Sequence, residues 1–366
     1  MQRLFSLALL AALLGGGWTV LQKVTPQQVQ RAVETARGAM RNASLPGVAP
    51  TGQSPQQPVY GAPAPSAPVF GPPPQATQGP TVRIASFNIQ TFGKSKASKP
   101  YVMQALAQIV RGFDVIAIQE IRTQDDRFIP NFLRDYVNTG GAVYDAKVSP
   151  RLGRTSSTEQ YAFIYNTATI MAHPTFCAVV PDPEDRLHRE PYAALFRTTI
   201  VEPHKPFTFT LINTHTDPDE IPEELDALYY VYRQVQRSAI GQATEDDVIL
   251  LGDLNTKVPA SSPHKPNPSA RPLTPKDLGL LSQVPGVSPL IRQQATNTHG
   301  TRLHDNILIP SLATVEFTGR YGVLDMRTQL GYSLTKEQAL MISDHQPVWG
   351  EFSAIEGGGY RTAARR

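Results

Sequence analysis

The sequence predicts an α+β fold in which mixed β-sheets pack as layers together with helices. Seven short, apolar segments have the length and composition of strands. Helical periodicity occurs between only some of them, whereas a wholly parallel sheet would require strict alternation of strand and helix. The predicted strands are 82–87, 113–120, 161–166, 207–215, 248–255, 304–310 and 346–352, and the predicted helices are 101–111 and 223–240.

The individual segments support these assignments in chain order. The first strand (VRIASF) alternates in polarity before it ends at Asn88, and the second (FDVIAIQE) is an apolar run that ends in Glu120. The helix over 101–111 (YVMQALAQIVR) lies between them. In the later helix, 223–240, apolar and aromatic residues recur at helical spacing, which is typical of a face that packs on a core. The remaining strands are short apolar runs of the same kind.

The termini have compositions that do not form a core. Residues 1–24 have a basic start and a long apolar run, which fits both a secretory signal peptide and an uncleaved membrane anchor. Residues 25–80 are polar and then, over 46–80, proline-rich, with eleven of the 33 prolines of the chain in that second part. They are predicted to be a largely disordered linker. We expect one folded domain over 81–353 and a disordered basic tail over 354–366.

The charge of the predicted domain excludes a general attraction to polyanions. Eight of the 34 Lys and Arg residues and two of the 31 Asp and Glu residues lie outside 81–353, which leaves 26 basic and 29 acidic residues and a net charge of −3. Any contact with nucleic acid must therefore come from a local basic patch. The single cysteine, Cys177, excludes an internal disulfide.

Chemically capable side chains stand at the ends of most of the predicted strands. One such residue is usually structural, but a whole set at equivalent positions indicates a functional site, because α/β folds place their sites where strands run out into loops. The set comprises four carboxylates, two histidines and two amides, namely Glu120, Asp253, Asp305, Asp344, His215, His345, Asn88 and Asn255.

These residue types favour metal-assisted hydrolysis of a phosphodiester. Carboxylate and amide oxygens suit Mg²⁺, Mn²⁺ or Ca²⁺, and the sequence has no Cys/His cluster of the kind that binds zinc. It has no serine elbow or reactive-thiol pattern either, so the two histidines are predicted to form an acid/base pair. Each imidazole needs a carboxylate on its second nitrogen, and Glu159 and Asp305 are the candidates.

Short motifs resemble a known superfamily. The strings QE, GDLN and SDH resemble the endonuclease/exonuclease/phosphatase pattern, and four longer strings resemble the deoxyribonuclease I family within it. The first three lie at 119–120, 252–255 and 343–345, and the four longer ones are FNIQTFG (87–93), IQEIR (118–122), REP (189–191) and DALYYVY (226–232). The resemblance runs from about residue 83 to residue 353 and implies a four-layer α/β/β/α sandwich with two packed mixed β-sheets.

The resemblance also implies a metal site. Glu120 resembles the principal Mg²⁺ ligand of the family, with Asn88, Asp253 and Asp344 around the same site. Mg²⁺ is the expected ion and Mn²⁺ is an alternative.

The catalytic residues implied by the resemblance are two histidines with their carboxylates. His215 and His345 resemble the catalytic histidines, paired with Glu159 and Asp305 respectively, and Asn255 resembles the amide that steadies the scissile phosphate. Which histidine acts as the acid stays open.

The chain matches the family at two arginines that contact the substrate, and it departs from the family at a third substrate contact and at a structural ion site. Arg122 and Arg189 resemble the arginines that hold DNA, with Arg122 in the minor groove. Ser157 replaces a tyrosine of the family that packs against a deoxyribose. The loop that binds a structural Ca²⁺ in the family has Gln294 where an acid is expected, so a Ca²⁺ site here stays open.

The expected function is a metal-dependent endonuclease that hydrolyses DNA and leaves 5′-phosphate and 3′-hydroxyl ends. We expect a monomer that acts on double-stranded DNA with weak sequence preference. Residues 1–24 predict an exported domain, secreted or periplasmic, or one anchored to a membrane with the catalytic domain outside the cytoplasm. One alternative is a phosphatase or phospholipid phosphodiesterase of the same superfamily. Another is an inactive tethered binding protein, which the retained histidines and carboxylates argue against.

Overall fold

The computed structural model describes residues 79–201, 205–238 and 246–358. The predicted signal or anchor over 1–24 and almost all of the predicted linker over 25–80 lie outside these residues. Within the described part of the chain, no helix is long and apolar enough to cross a membrane.

Two six-stranded mixed sheets form the centre of the fold. The first sheet contains β1 (Thr81–Phe92), β2 (Val115–Ile121), β3 (Tyr144–Val148), β4 (Gln160–Asn166), β11 (Phe317–Val323) and β12 (Val348–Ser353), in the order β11-β12-β1-β2-β4-β3. The second contains β5 (Ile170–Val179), β6 (Tyr192–Thr198), β7 (Thr208–His215), β8 (Val248–Pro259), β9 (Val287–Pro289) and β10 (Arg302–Pro310), in the order β5-β6-β7-β8-β10-β9. One pair at the middle of each sheet is parallel, β1 with β2 and β7 with β8, and the other pairs are antiparallel.

Helices cover the outer faces of both sheets, so the predicted four-layer α/β/β/α sandwich is confirmed. The helices are α1 (Lys94–Ala97), α2 (Pro100–Val110), α3 (Phe128–Phe132) with a π-helical turn over Leu133–Val137, α4 (Ile221–Arg237), a 3₁₀ segment (Pro275–Gln283) and α5 (Lys336–Ile342). Leu106 of α2 belongs to a buried cluster with Phe87 and Ile118 of the first sheet. Leu228 of α4 belongs to a second cluster that also fills the space between the sheets.

The period of two along β1 decides which side chains face which layer. Ile84 belongs to the cluster between the sheets and Phe87 to the cluster under the helices, because successive side chains of a strand point to opposite faces. Ser86 and Asn88 are buried as well, although they are polar. Buried polar side chains need hydrogen-bond partners, and those partners position the functional end of the sandwich.

A buried amide bridge links the two sheets just below the strand ends. Gln119 of β2 donates from Nε2 to Ser86 Oγ of β1 at 3.0 Å and to Asn213 Oδ1 of β7 at 2.7 Å. Asn213 in turn donates to the carbonyls of Ile118 and Ala162 at 3.1 and 3.3 Å. Because these bonds are directional and fully buried, they fix how β7 sits on β2.

The folded domain extends past the C-terminal boundary predicted at residue 353. Ala354 is buried, its N–H donates to the carbonyl of Pro80 at 2.9 Å, and its carbonyl accepts from the N–H of Phe207 at 3.0 Å. The N–H of Glu356 donates to the carbonyl of Lys205 at 3.0 Å. Residues 354–358 are thus part of the fold rather than of the predicted tail, because their backbone groups pair with two other segments. Residues 359–366 lie outside the described residues.

Replacing Asn213 by Leu should lower the free energy of unfolding by about 2–3 kcal/mol, because the buried Gln119 amide loses its acceptor in the other sheet. Urea denaturation measures this change. The double variant with Gln119→Met should recover part of the loss, since both polar partners are then removed together. A single variant as stable as the parent chain would contradict the role given to the bridge.

Gly252, at the start of the GDLN motif, should not tolerate a side chain. Its φ is +153°, and an added Cβ would overlap the Thr214 carbonyl on the neighbouring strand, so Gly252→Ala should cost about 3 kcal/mol or more. Gly319 is the matched control, because its φ is also positive (+82°) but the space around it is open. Gly319→Ala should cost about 1 kcal/mol. Equal losses of stability in the two variants would refute the close approach of the strands.

Candidate active site

The register of the second sheet sets three of the predicted residues side by side. His215 on β7 pairs with Asp253 on β8, and Asp253 pairs with Asp305 on β10. Asn88 and Glu120 come from the parallel pair of the first sheet, at the strand ends that face this row. The carboxyl ends of two parallel pairs, one in each sheet, therefore converge at a single edge of the sandwich.

The strands are locally distorted where they supply the site. The pairing of β1 with β2 shifts register between Asn88 and Phe92, and that of β2 with β4 shifts between Ile118 and Ile121. Six non-glycine residues of the described chain have positive φ, and five of them lie at these ends, namely Gln90, Thr91, Glu120, Asn255 and Lys257. Left-handed backbone costs about 1–3 kcal/mol per residue, so these five residues lower the local stability of the strand ends. The strained conformations place the side chains of the site.

Asn88 draws the two sheets together through a pair of carboxylates. Its Nδ2 donates to Glu120 Oε1 at 3.1 Å and to Asp253 Oδ2 at 3.0 Å. Its Oδ1 accepts from the N–H of Gln90 at 2.8 Å, which leaves one lone pair of this amide oxygen for a metal ion. The N–H of Thr91 donates to Glu120 Oε2 at 2.8 Å. Asn88 therefore acts here as the donor that holds Glu120 and Asp253 at a common point.

His215 forms a buried dyad with Glu159. Its Nδ1 lies 2.8 Å from Glu159 Oε1, and its backbone N–H donates to the hydroxyl of Tyr161 at 3.1 Å. Burial lowers the pKa of His215, but the charge and hydrogen bond of Glu159 together with the charge of Asp253 outweigh burial and raise this pKa above its ordinary value. Burial likewise raises the pKa of Glu159, and His215 together with Arg189 lowers it below the ordinary range. The dyad is an ion pair as well as an orienting contact.

His345 forms the matching dyad with Asp305. Its Nδ1 lies 2.9 Å from Asp305 Oδ2 and 3.1 Å from Oδ1. The hydroxyl of Thr296 donates to Asp305 Oδ2 at 2.7 Å and fixes the carboxylate. Burial lowers the pKa of His345, but Asp305 and Asp253 outweigh it and raise this pKa to about 10. Both carboxylates predicted from the sequence to orient the histidines are thus found against the expected imidazoles.

The free edges of the two imidazoles face the same oxygen. His215 Nε2 lies 3.6 Å and His345 Nε2 lies 3.5 Å from Asp253 Oδ2. Burial raises the pKa of Asp253, but the two histidines lower it further, to about 2. The two Nε2 atoms therefore lie close to one point, where both could exchange protons with one bound group.

The two arginines assigned to DNA contact carboxylates of the site. Arg189 is only 5% exposed, and its Nε donates to the His215 carbonyl at 3.2 Å and lies 3.4 Å from Glu159 Oε1. Its guanidinium supports the Glu159–His215 dyad from within the fold, and its assignment as a DNA contact stays a prediction. Arg122 keeps a side chain that is 33% exposed while reaching Glu120 at 3.5 Å and Glu159 at 3.4 Å. Arg122 also donates to Ser157 Oγ at 3.3 Å.

Asn255 and Asp344 complete the predicted set. Asn255 is buried, its N–H donates to Asp253 Oδ1 at 2.9 Å, and its Nδ2 donates to the Thr216 carbonyl at 2.8 Å. Asp344 lies beside His345, and its Oδ1 is buried without a hydrogen-bond partner. An orphaned carboxylate oxygen is costly when buried, so a cation at this edge fits the residues present. The donors are hard oxygens, which suit Mg²⁺, Mn²⁺ or Ca²⁺.

The loop before Asp305 is used within the fold. The Thr296 hydroxyl donates to Asp305 Oδ2, and the Thr298 hydroxyl donates to the carbonyls of Ser343 and His345 at 2.8 and 3.1 Å. Both threonines of this loop therefore bond within the protein, and they hold the segment that carries Asp344 and His345.

His304 is a member of the site that sequence reasoning missed. In a regular strand it would point away from the face of Asp305, but the pairing of β10 with β8 shifts register between Leu303 and Asp305. Its ring centre consequently lies 5.6 Å from that of His345. The available signal was a histidine directly before a candidate carboxylate at the start of a strand.

Comparison with known proteins agrees with this geometry. The family model "Endonuclease/Exonuclease/phosphatase family" matches residues 85–345. Deoxyribonuclease-1-like 1 of Sus scrofa is 31% identical over 283 residues, which cover 74% of this chain and 81% of that protein. Deoxyribonuclease-1-like 2 of Mus musculus is 30% identical, covering 73% and 90% respectively, and Deoxyribonuclease-1 of Homo sapiens is 28% identical, covering 73% and 91%. The chain therefore belongs to the endonuclease/exonuclease/phosphatase family and is a deoxyribonuclease I-like member of it.

Proposed function

We propose that this protein is a divalent-metal-dependent endonuclease that hydrolyses phosphodiester bonds of double-stranded DNA and leaves 5′-phosphate and 3′-hydroxyl ends. The observation that carries the proposal is the pair of histidine–carboxylate dyads whose Nε2 atoms lie 3.5 and 3.6 Å from one oxygen of Asp253. The relatives named deoxyribonucleases support DNA as the substrate.

Three carboxylates are proposed to hold the cation. Glu120 and Asp253 are held together by Asn88, and Asp344 contributes its unpartnered oxygen. Mg²⁺ is the proposed ion, and when bound it would balance the negative charge that develops on the phosphoryl oxygens. Asn88 is proposed to orient the carboxylates through Nδ2 and to offer the free lone pair of its Oδ1 to the same cation.

The protein groups divide the remaining work of hydrolysis. The Nδ1 atoms of His215 and His345 are tied to carboxylates, so their Nε2 atoms are left to move protons. One Nε2 takes a proton from the attacking water while the other gives a proton to the leaving 3′-oxygen. Asn255 donates one of its amide hydrogens to the Thr216 carbonyl, and the second is free to bind a phosphoryl oxygen.

The contact with DNA is proposed to start from Arg122. Its partly exposed guanidinium lies at the edge of the site and supplies local positive charge, which the net charge of −3 over 81–353 does not provide. Ser157 takes part in holding this guanidinium. The domain is proposed to be exported or membrane-anchored because of residues 1–24, which lie outside the described residues. It is also proposed to act as a monomer.

The proposal is tested with the purified chain on supercoiled plasmid, in Mg²⁺ and in EDTA, with end analysis of the nicked product. Nicking in Mg²⁺ alone, with 5′-phosphate ends, is the expected result. An intact plasmid together with turnover of a phosphomonoester, a phosphoinositide or sphingomyelin would replace the substrate class. Turnover of none of these would favour the inactive binding protein instead.

Replacing Glu120 by Gln should lower the rate of plasmid nicking at least 100-fold, because it removes a charged ligand worth several kcal/mol of charge stabilisation. It should also abolish the rise in Tm that Mg²⁺ gives the parent chain. Glu223, an exposed residue of α4, is the matched control, and Glu223→Gln should leave both quantities unchanged. A Glu120→Gln chain that keeps its Mg²⁺-dependent Tm shift would remove Glu120 from the metal site.

Replacing Glu159 by Gln should cost about 3–5 kcal/mol of unfolding free energy, because the buried Arg189 loses its carboxylate. It should also lower kcat roughly 100-fold or more, since His215 loses the group that fixes its Nδ1 proton. Glu220→Gln removes an exposed ion pair with Arg154 and should cost about 0–1 kcal/mol with kcat unchanged. Urea denaturation and plasmid nicking measure the two effects. A Glu159→Gln chain with parental stability would mean that Arg189 does not depend on this carboxylate.

A further inference from the structure

One imidazole in the active site lacks any hydrogen bond within the described residues. His304 is partly buried, and its Nδ1 is enclosed without a hydrogen-bond partner. Its Nε2 also has no partner in the described chain, but it is not among the enclosed unpartnered atoms. His304 thus differs from His215 and His345, whose Nδ1 atoms are both held by carboxylates.

An unpartnered imidazole in this place does not contribute to the stability of the fold. A polar atom buried without a partner costs about 1–3 kcal/mol, and an aromatic hydrocarbon of similar shape would fill the same space without that cost. The carboxylates around it bond other groups, since Asp305 bonds His345 and Thr296 and Asp253 bonds Asn88, and none of them bonds the His304 imidazole. Because Nε2 is not among the enclosed atoms, a group from outside the chain can reach it.

The backbone holds His304 in a fixed relation to the catalytic dyad. The N–H of His304 donates to Thr296 Oγ1 at 2.9 Å, and the N–H of Asp305 donates to the same oxygen at 3.0 Å. That hydroxyl also orients the carboxylate of Asp305. The His304 ring, with its centre 5.6 Å from that of His345, is thereby placed beside the point where the Nε2 atoms of the two dyads converge.

We propose that His304 is a further catalytic residue, which donates a hydrogen bond from Nε2 to a non-bridging oxygen of the phosphodiester that is being cleaved. The proposal rests on the function proposed above, because it takes the phosphodiester to be bound between His215 and His345. A substrate oxygen would give Nε2 the partner that it lacks in the described chain, and the negative charge on that oxygen makes the bond a charge-assisted one.

Two substitutions separate the hydrogen bond from the packing of the ring. His304→Phe keeps a flat ring against His345 but has no donor, and His304→Gln keeps a donor at the reach of Nε2. In the full chain, His304→Phe should lower kcat/KM roughly 10- to 100-fold on supercoiled plasmid and on bis(p-nitrophenyl) phosphate, which is the range for one bond to a charged group. His304→Gln should recover most of that loss. The Tm of His304→Phe should equal or exceed that of the parent chain, whereas a structural role would make activity and Tm fall together.

His173 of β5 provides the matched control, since its Nδ1 accepts only from a local turn on the second sheet. His173→Phe should leave both rates unchanged. Parental kcat/KM in His304→Phe would overturn the proposal, and so would a loss in His304→Gln as large as that in His304→Phe. A loss on plasmid with none on the small diester would also overturn it, because the contact would then lie on a flanking phosphate.

The proposed function and this inference fail in different ways. If the parent chain spares plasmid but cleaves the small diester, the DNA substrate is wrong and His304 is still tested on the diester. If the parent chain cleaves neither, inorganic phosphate is titrated into the full chain labelled with ¹⁵N-histidine, with His304→Gln used to assign the imidazole signals. A shift of the His304 signals on adding phosphate supports the contact, and unmoved signals overturn it.

Discussion

The buried amide bridge between Gln119 and Asn213 is the constraint on which the rest of the site depends. The residues of the candidate site come from two sheets: Glu120 and Asn88 belong to the first, whereas the row of His215, Asp253 and Asp305 belongs to the second. Apolar packing between sheets is non-directional and would tolerate small sliding movements. The 2.7 Å bond from Gln119 Nε2 to Asn213 Oδ1 lies one residue before Glu120 and two residues before His215, and its direction does not allow such sliding. The position of the proposed metal ligands relative to the histidines is therefore set inside the core.

Beyond that bridge the backbone of the strand ends is strained, and hydrogen bonds to the carboxylates of the site offset the strain. Glu120 and Asn255 both have positive φ, an expensive conformation for residues other than glycine. Glu120 accepts from the N–H of Thr91, and Asp253 accepts from the N–H of Asn255. Each distorted strand end thus donates a backbone hydrogen bond to a carboxylate of the site. A regular strand would have sent these side chains to alternate faces, so the distortion is what lets neighbouring residues serve one centre.

Charge balance distinguishes the two sides of this centre. On the histidine side each buried carboxylate has cationic partners within the chain, as Glu159 has in His215 and Arg189. On the other side Glu120 lies 3.5 Å from the partly exposed Arg122, and Asp344 Oδ1, 3.8 Å from His345 Nε2, is enclosed without a hydrogen bond. Buried carboxylates are stable only when they are compensated. The less compensated side is therefore where the proposed cation fits, and the histidine side is where the proposed proton transfers would take place.

The sequence predicts the fold class, seven of the twelve strands of the described chain, and the types of residue that meet at the site, because these follow from short apolar runs and from polar residues at their ends. The five strands it misses include β5 and β11, most of whose side chains are exposed or half-buried and which therefore lack an apolar run. Arg189 was assigned to DNA through the resemblance, and its burial against Glu159 depends on how β6 and β7 pack, which leaves no mark in the local sequence. His304 was missed because a period of two turns it away from Asp305, and only the register shift next to it reverses that direction. The two cases have the same cause: the local pattern specifies which residues stand at a strand end, but the neighbouring strands determine the partner that each side chain meets.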